Sequence, residues 1–332
     1  MDIRQITTAD GAFSSWFAVY HEASVADDPT GPQTREHEAR VTFESTEHRD
    51  IVLWLAEEEG RAVGAASLAL PLRDNVGLGE PQVYVRPAAR RRGIGTTLLD
   101  VVEQTARERD RTSLLTFVSA AMETSATPGT LFAERHGFTH RLTEIRHVQR
   151  RPFPLDGIAK AAEAAKPYAA GYELISWRDH APAEHVREYA RLEGRLSTDA
   201  PFGEIEYEGE VWDESRIRTM ERRQARAGRN IWATAVVAPD GRMAGFTQVV
   251  IANDSDRDAI QDTTIVDPVH RGKRLGIILK AANFERILAD RPAIQQVWTW
   301  NGDTNSHMVA INEIMGYRAE GWDRAYQRST SR

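Results

Sequence analysis

The sequence predicts an α/β fold with a mixed sheet, built twice in tandem, and three observations carry that prediction. Alternating runs rich in β-branched and aromatic residues recur between helical stretches, as in "DIVLWLAEEEGRAVGAASLAL" (50–70), the pattern of strands with a buried face. A strand then runs through a glycine-rich turn into an amphipathic helix, "VYVRPAARRRGIGTTLLDVV" (83–102). The landmarks also repeat. "GRAVGAASLAL" and "GRMAGFTQVVI" begin at Gly60 and Gly241, 181 residues apart; Pro87 and Pro268 are 181 apart; Gly137 and Gly316 are 179 apart. One glycine-rich turn recurs by chance, whereas three ordered landmarks at near-constant spacing indicate a duplicated domain.

The elements follow in order. "IRQIT" (3–7) is a short strand, two helical stretches reach about Glu47, and 50–70 is a hairpin turning at Glu59-Gly60. "EPQVYV" (80–85) leads into the turn, after which Ile94, Leu98, Leu99, Val101, Val102 and Ala106 form a helical apolar stripe. "LLTFVSA" (114–120), a short helix ending at Gly137 and "TEIRHVQR" (143–150) complete the half. The second half repeats this with "YELISW" (172–177), "NIWATAVVA" (230–238), "MAGFTQVVIA" (243–252) and "QDTTIV" (261–266). A helix from about Gly272, "QVWTW" (296–300), a helix from Asn305 and a closing strand follow. Antiparallel strands leading into a strand–helix–strand unit define a mixed α/β architecture. Pro152, Pro154, Pro167 and Gly171 bracket an Ala-rich stretch, so the expected limits are an N-terminal domain 1–150, a linker 151–171 and a C-terminal domain 172–332.

Composition narrows the function. The 332 residues are 41% hydrophobic and 27% charged, with a net charge of −7 and a pI near 5.9, a globular chain whose surface repels nucleic acid and anionic membrane. Phosphate chemistry then needs local basic patches. There is no cysteine, so disulfides, thiolate metal sites and a cysteine nucleophile are excluded together. The ten histidines form neither HExxH nor His-x-His, and no metal is expected. "MDIRQITTADGAF" lacks a basic stretch followed by an apolar run, and no segment approaches ~18 consecutive apolar residues. A cytoplasmic location is the expectation.

The arginine–glycine turn is the strongest chemical signal. A strand that ends where a helix begins presents unpaired N–H groups and the positive end of a dipole, which together hold anions. Gly93 and Gly95 allow close approach and Arg90, Arg91 and Arg92 add charge beside it. A diphosphate on a long, amide-bearing arm suits this arrangement.

The segment "VRPAARRRGIG" (85–95) resembles the acetyl-CoA loop of the GNAT acyltransferase superfamily, whose pattern is Arg or Gln, two residues, Gly, one residue, Gly or Ala. Arg90, Gly93 and Gly95 match it; "VDPVHRGKRLG" (266–276) matches at Arg271 and Gly276 but carries Arg274 at the first pattern glycine. The later signature, Asn, a helix, then Gly-aromatic, appears as "NSHMVAINEIMGY" (305–317) and more weakly as "TPGTLFAERHGF" (127–138). The resemblance covers both halves in order and implies two tandem GNAT-like domains with acetyl-CoA as co-substrate. Its implied coenzyme contacts are Val85, Arg90 to Gly93, Gly95 and Thr96 in the first half. In the second they are Val266, Arg271, Gly272, Lys273, Arg274, Gly276 and Asn305.

Acetyl transfer to an amine needs a base, because an alkylamine of pKa ~10.4 is ammonium at neutral pH. In this superfamily a base often sits near the start of the strand before the loop, where Asp262 and Glu80 are the nearest carboxylates. Main-chain N–H near Val266 or Val85 would stabilise the oxyanion. The resemblance also implies a tyrosine acid four residues before the final glycine; Asn312 and Ala133 stand there instead. Asn312 is a candidate to orient the acetyl group or a water, and a thiol of pKa ~8.5 leaves with little assistance. The acid-rich "DAPFGEIEYEGEVWDE" (199–214) suggests attraction of a cationic acceptor. The expected function is N-acetylation of a small, cationic amine by direct attack on the thioester, with the second half favoured for catalysis. The alternative is a coenzyme-binding pseudoenzyme serving as a sensor or interaction module, which the two missing tyrosines favour.

Overall fold

The computed structural model describes residues 1–199, 203–255, 257–302 and 306–330. β1 (Asp2–Ile6), α1 (Phe13–Asp27) and α2 (Glu36–Thr42) precede the hairpin of β2 (Arg49–Glu58) and β3 (Arg61–Pro71). β4 (Leu78–Val85), α3 (Ile94–Glu108), β5 (Ser113–Ala121), α4 (Pro128–Arg135) and β6 (Thr139–Arg150) follow. The second half holds α5 (Leu155–Ala165), β7 (Glu173–Arg178), α6 (Val186–Asp199), α7 (Glu214–Arg226), β8 (Arg229–Val237) and β9 (Met243–Ala252). β10 (Asp258–Val266), α8 (Leu275–Asp290), β11 (Gln296–Gly302), α9 (Ser306–Met315) and β12 (Arg318–Ser329) complete it. The stripe on α3 buries Ile94, Leu98, Leu99, Val102 and Ala106, each large side chain contributing about 1.5–3 kcal/mol on leaving water.

Set beside the expected limits 1–150, 151–171 and 172–332, the two compact units exchange segments. One comprises 1–144 with 203–208 and 321–330; the other comprises 145–199 and the described part of 209–320. In the first unit β1, β2, β3, β4 and β5 lie side by side, and 321–329 of β12 add antiparallel to β5, from Gly321 opposite Ala121 to Ser329 opposite Ser113. In the second the order is β7, β8, β9, β10, β11, with 145–150 of β6 beside β11. Each sheet therefore takes a strand from the other half of the sequence. The stretch expected as a linker contains α5, whose Ile158 and Ala165 pack with Phe284 and Ile287 in the second unit's core.

Each unit holds a pair of strands that run parallel, and that place sets the site. β4 and β5 run parallel and pair only at Leu78–Ser113 and Gly79–Leu114, although β4 continues to Val85. β10 and β11 pair in parallel only from Asp258–Gln296 to Ile260–Trp298. Beyond those pairs the strands part, leaving main-chain groups unpaired within the sheet. β10 also carries a bulge between Gln261 and Thr264 against β9. The Gln261 amide fills it, donating to the Gln248 carbonyl at 2.8 Å and to Thr247 Oγ1 and the Thr263 carbonyl, each at 3.1 Å. A bulge re-aims the neighbouring side chain, and here the neighbour is Asp262.

Gly245, opposite Val266, allows the β9–β10 approach. A Cβ there would lie 2.7 Å from the Ile265 carbonyl oxygen and 3.2 Å from Val266 Cα. Both neighbours are backbone and cannot swing aside. Gly245→Ala is therefore expected to cost about 1–3 kcal/mol, read as a lower denaturant midpoint; an unchanged midpoint would show that the strands can separate freely.

Candidate active site

The two loops after β4 and β10 share a backbone but not a sequence. In the first, Arg91 and Gly93 have φ of +65° and +85°; at the equivalent positions Gly272 and Arg274 have +78° and +54°. The glycine has moved from the second left-handed position to the first, so a non-glycine residue holds one such position in each loop, at a cost of roughly 1–2 kcal/mol. Arg274, expected to disturb close approach, leaves the left-handed turn intact, and its guanidinium lies over the Tyr168 ring at 4.1 Å. α3 and α8 both start without a side-chain cap, whereas Thr127 caps α4 and Asp213 caps α7. The first-turn N–H groups of α3 and α8 are left for an anion.

The first arginine of each motif acts differently from the expectation. Arg90 donates from Nε to the Val85 carbonyl at 3.1 Å and grips Asp27, at the end of α1, with both terminal nitrogens at 2.7 and 2.9 Å. Arg271 donates from Nε to the Val266 carbonyl at 3.3 Å and from one terminal nitrogen to Asp199, at the end of α6, at 3.0 Å. A bidentate guanidinium is a positioning device, so Arg90 fixes the loop to the strand and the preceding helix, while Arg271 makes the same tie through a single nitrogen and stays more than half exposed. Arg92 pairs with Glu58 at 2.7 Å; Arg91 and Lys273 are exposed. Gly95 and Gly276 face the following helix, where a Cβ would meet Phe132 at 3.2 Å and Ile311 at 2.8 Å. Thr96 Oγ1 lies 3.3 Å from His136 Nε2.

Where β4 leaves β5, the first unit contains a cleft of about 410 Å³, lined by Gln82, Val83 and Tyr84 of β4, Thr116 to Ser119 of β5, Leu99 of α3, and Phe132 and Ala133 of α4. It has the size and mostly apolar wall of a small-molecule site. Glu80 is not part of this lining; it is ion-paired with Arg49, which removes the reason to treat it as a free base.

In the second unit, four side chains form a chain of contacts around the bulge. Gln248 donates to Asp262 Oδ2 at 2.6 Å and accepts from the Tyr189 hydroxyl. Tyr189 in turn is hydrogen-bonded with Glu193. Asp262 is exposed by surface area, yet surrounding protein desolvates its carboxyl and raises its pKa. A group is both reachable and desolvated where the surface is concave. Glu193, on α6 and only 6% exposed, is pushed up to about 8, first by burial and then by the negative charge of Asp262. The negative charge of Asp262 thus helps to hold the proton on Glu193. Glu193 carries stability that is complete below about pH 4.5 and lost as pH rises through about 8. Relative to wild type, Glu193→Gln is therefore expected to gain stability across that window, by as much as about 1.4 kcal/mol per pH unit; parallel urea curves at pH 5 and pH 8 that show no relative gain would rule this out.

The remaining expectations divide. Asn312 lies in α9 with its Oδ1 accepting from Lys280 Nζ at 2.6 Å. Asn305 lies outside the described residues, as does Phe202. The acidic stretch 199–214 is largely engaged in structure. Asp199 holds Arg271, Glu204 pairs with Arg141, Glu210 with Arg216 at 2.9 Å, and Asp213 caps α7. Ile205 and Tyr207 pack with Leu78, Leu115, Leu142 and Ala325 in the first unit. Glu193, Lys280, Asp27 and Asp199 were not anticipated as site residues. Lys280 alone left a signal, a charge on the apolar stripe of Ile277, Phe284 and Ile287. Among the described residues no group of three or more His, Asp or Glu is placed to hold a metal, and no helix is long and apolar enough to cross a membrane.

Residues 14–138 match the Acetyltransferase (GNAT) family. The chain is 26% identical over 257 residues to a mycothiol acetyltransferase of Sanguibacter keddieii, an alignment covering 75% of this chain and 72% of that protein. Its fold is similar to that of a tandem GNAT protein from the clavulanic acid biosynthesis pathway, solved without acetyl-CoA (TM-score 0.79, 24% identity, 100% of this chain and 99% of the other). A GCN5-related N-acetyltransferase from Sphaerobacter thermophilus is also similar (TM-score 0.66, 15% identity, 99% and 95% covered). Residues 14–138 thus match the GNAT acetyltransferase family, and the fold of the whole chain is similar to that of tandem GNAT proteins.

Proposed function

We propose that the protein is an N-acetyltransferase that moves an acetyl group from acetyl-CoA to a small cationic amine. In this reading the second unit carries the transfer, and both loops hold coenzyme. The observation that carries it is the Asp262–Glu193 pair, a reachable carboxylate raised in pKa and placed by a bulge where β10 leaves β11. The name of the Sanguibacter relative points toward acetyl transfer as well.

The residues fit the coenzyme. Uncapped N–H groups at the start of α3 and α8 suit a diphosphate, and the main chain of β4 and β10 beyond their last parallel pairs suits an amide-bearing arm. Bound there, acetyl-CoA supplies an activated acyl carbon on a sulfur that departs readily. The chain supplies the rest. The carboxylate of Asp262 attracts the acceptor ammonium and takes its proton; a carboxylate of raised pKa is better matched to that transfer than an ordinary one. Gln248, donating to Asp262 Oδ2, fixes the direction in which the other oxygen faces. Main-chain N–H groups at Val266 stabilise charge developing on the acyl oxygen.

Calorimetry with acetyl-CoA tests the loops: two sites per chain are expected, and one in a Gly93→Asp chain, where the side chain meets a left-handed φ and repels the diphosphate. Release of free thiol that depends on an added amine tests the chemistry. A chain that binds no acetyl-CoA, or that releases thiol equally without amine, removes the proposal.

A further inference from the structure

We propose that Lys280 is a site of self-acetylation, its amine being an acceptor built into the second unit at the position that lines the cleft of the first. This rests on the reading that the second loop takes acetyl-CoA. The two halves correspond 181 residues apart at the loop and 179 apart at the following helix, so Lys280, Met308, Asn312 and Tyr317 stand where the first unit has Leu99, Gly129, Ala133 and Phe138. All four of the latter line the first unit's cleft. The packing confirms the correspondence, since Gly95 abuts Phe132 as Gly276 abuts Ile311. In the second unit a primary amine thus stands at the position whose counterpart lines the cleft of the first unit.

The surroundings favour an amine that reacts. Lys280 is 2% exposed, with Nζ 2.6 Å from Asn312 Oδ1, 3.8 Å from Met308 Sδ and 5.3 Å from the Tyr317 ring centre. Among the described residues no carboxylate is paired with it, and the titratable groups facing it are Tyr317 and, from β6, His147, whose own pKa is lowered chiefly by burial and further by the Lys280 charge. Burial alone brings Lys280 down to about 7. Half of it is then neutral at pH 7, against roughly one part in ~10³ for an ordinary lysine; burial does what a base does for a free acceptor. Asn312 completes the arrangement. Its Oδ1 holds the amine, while its Nδ2, in a residue 1% exposed, has no partner among the described residues. A buried unpaired donor is costly, and an acyl oxygen would satisfy it.

In the step itself the Nζ lone pair attacks the thioester carbonyl carbon, the C–N bond forms and the C–S bond breaks. Coenzyme A leaves as thiolate, and the proton shed by nitrogen is taken up by it. The product is an amide, so the modification persists and is no relay to a second acceptor.

The test is to incubate the purified full chain with acetyl-CoA and no amine acceptor, and to map modified peptides by mass spectrometry. In parallel, second-loop binding is measured by calorimetry in the Gly93→Asp chain. One acetyl group per chain on Lys280 is expected, at a rate that rises about tenfold from pH 6 to pH 8 and then levels off, following a pKa near 7; Lys280→Arg should lose it. If the second loop binds coenzyme and Lys280 stays unmodified, the inference fails while the proposed function stands. Acetylation confined to Lys160, Lys166 or Lys273, rising with pH well beyond 8, would mark chemical modification of exposed amines and also overturn it. If the second loop binds no coenzyme, both fall.

Discussion

Asp262→Ala is expected to lower kcat by about 10²–10⁴-fold, the usual span for a positioned general base, while acetyl-CoA affinity changes by less than a few-fold. The separation follows from position: Asp262 lies on β10, held by Gln248, whereas the anion-binding N–H groups belong to the turn and helix after Val266. Asp262→Asn should behave like alanine, because the amide keeps the hydrogen bond and loses the basicity. Steady-state turnover with an amine panel, beside calorimetry with acetyl-CoA, reads the two quantities apart. In the wild type, activity should fall as acid protonates Asp262, at a pH above the usual aspartate range because the surrounding protein desolvates its carboxyl. Equal turnover in wild type and both variants would take Asp262 out of the chemistry.

The second large effect is on stability. In the unfolded chain Lys280 is an ordinary ammonium, and in the folded protein burial lowers its pKa to about 7. Between about pH 7 and pH 10.5 the unfolded state holds one more proton than the folded state, so the contribution of this residue to stability rises with pH by about 1.4 kcal/mol per unit. Below pH 7 the full penalty of burying the charge is present; above about 10.5 it has gone. Lys280→Met, which fits the same volume without a charge, should therefore be more stable than wild type at pH 7 by several kcal/mol. That advantage should shrink steadily toward pH 10. Urea unfolding of both chains at pH 7, 8.5 and 10 measures it, and a constant difference across that range would mean that Lys280 is not charged differently in the two states.

The elements and both loops were legible because they rest on local pattern. The period of the α3 stripe, the alternation in β2 and β3 and the spacing of the glycines are each contained in a short window of chain. The position of Asp262 on a strand just ahead of the loop was legible for the same reason. Its partner was not. Glu193 sits in "REYARLEGRL" (187–196), where it reads as one more solvated helical acid, and only the packing of α6 on β9 and β10 buries it beside Asp262. The partners of Arg90 and Arg271 escaped likewise. Asp27 and Asp199 lie 63 and 72 residues away in sequence, and nothing local distinguishes an acid that clamps a loop from one that faces water. The acidic run 199–214 misled in the opposite direction: its charges are local and visible, but ion pairs and a helix cap engage several of them.

The traded strands have a consequence for how this molecule can be divided. A piece ending at residue 150 would carry β5 with a bare edge where 321–329 belong, and nine residues of unpaired main chain are an invitation to stick to another copy. Its own tail, 145–150, would have no sheet to join. Cutting the gene at the obvious repeat boundary should therefore yield two insoluble fragments, and co-expressing them should rescue both, each finding in the other the strip it lacks.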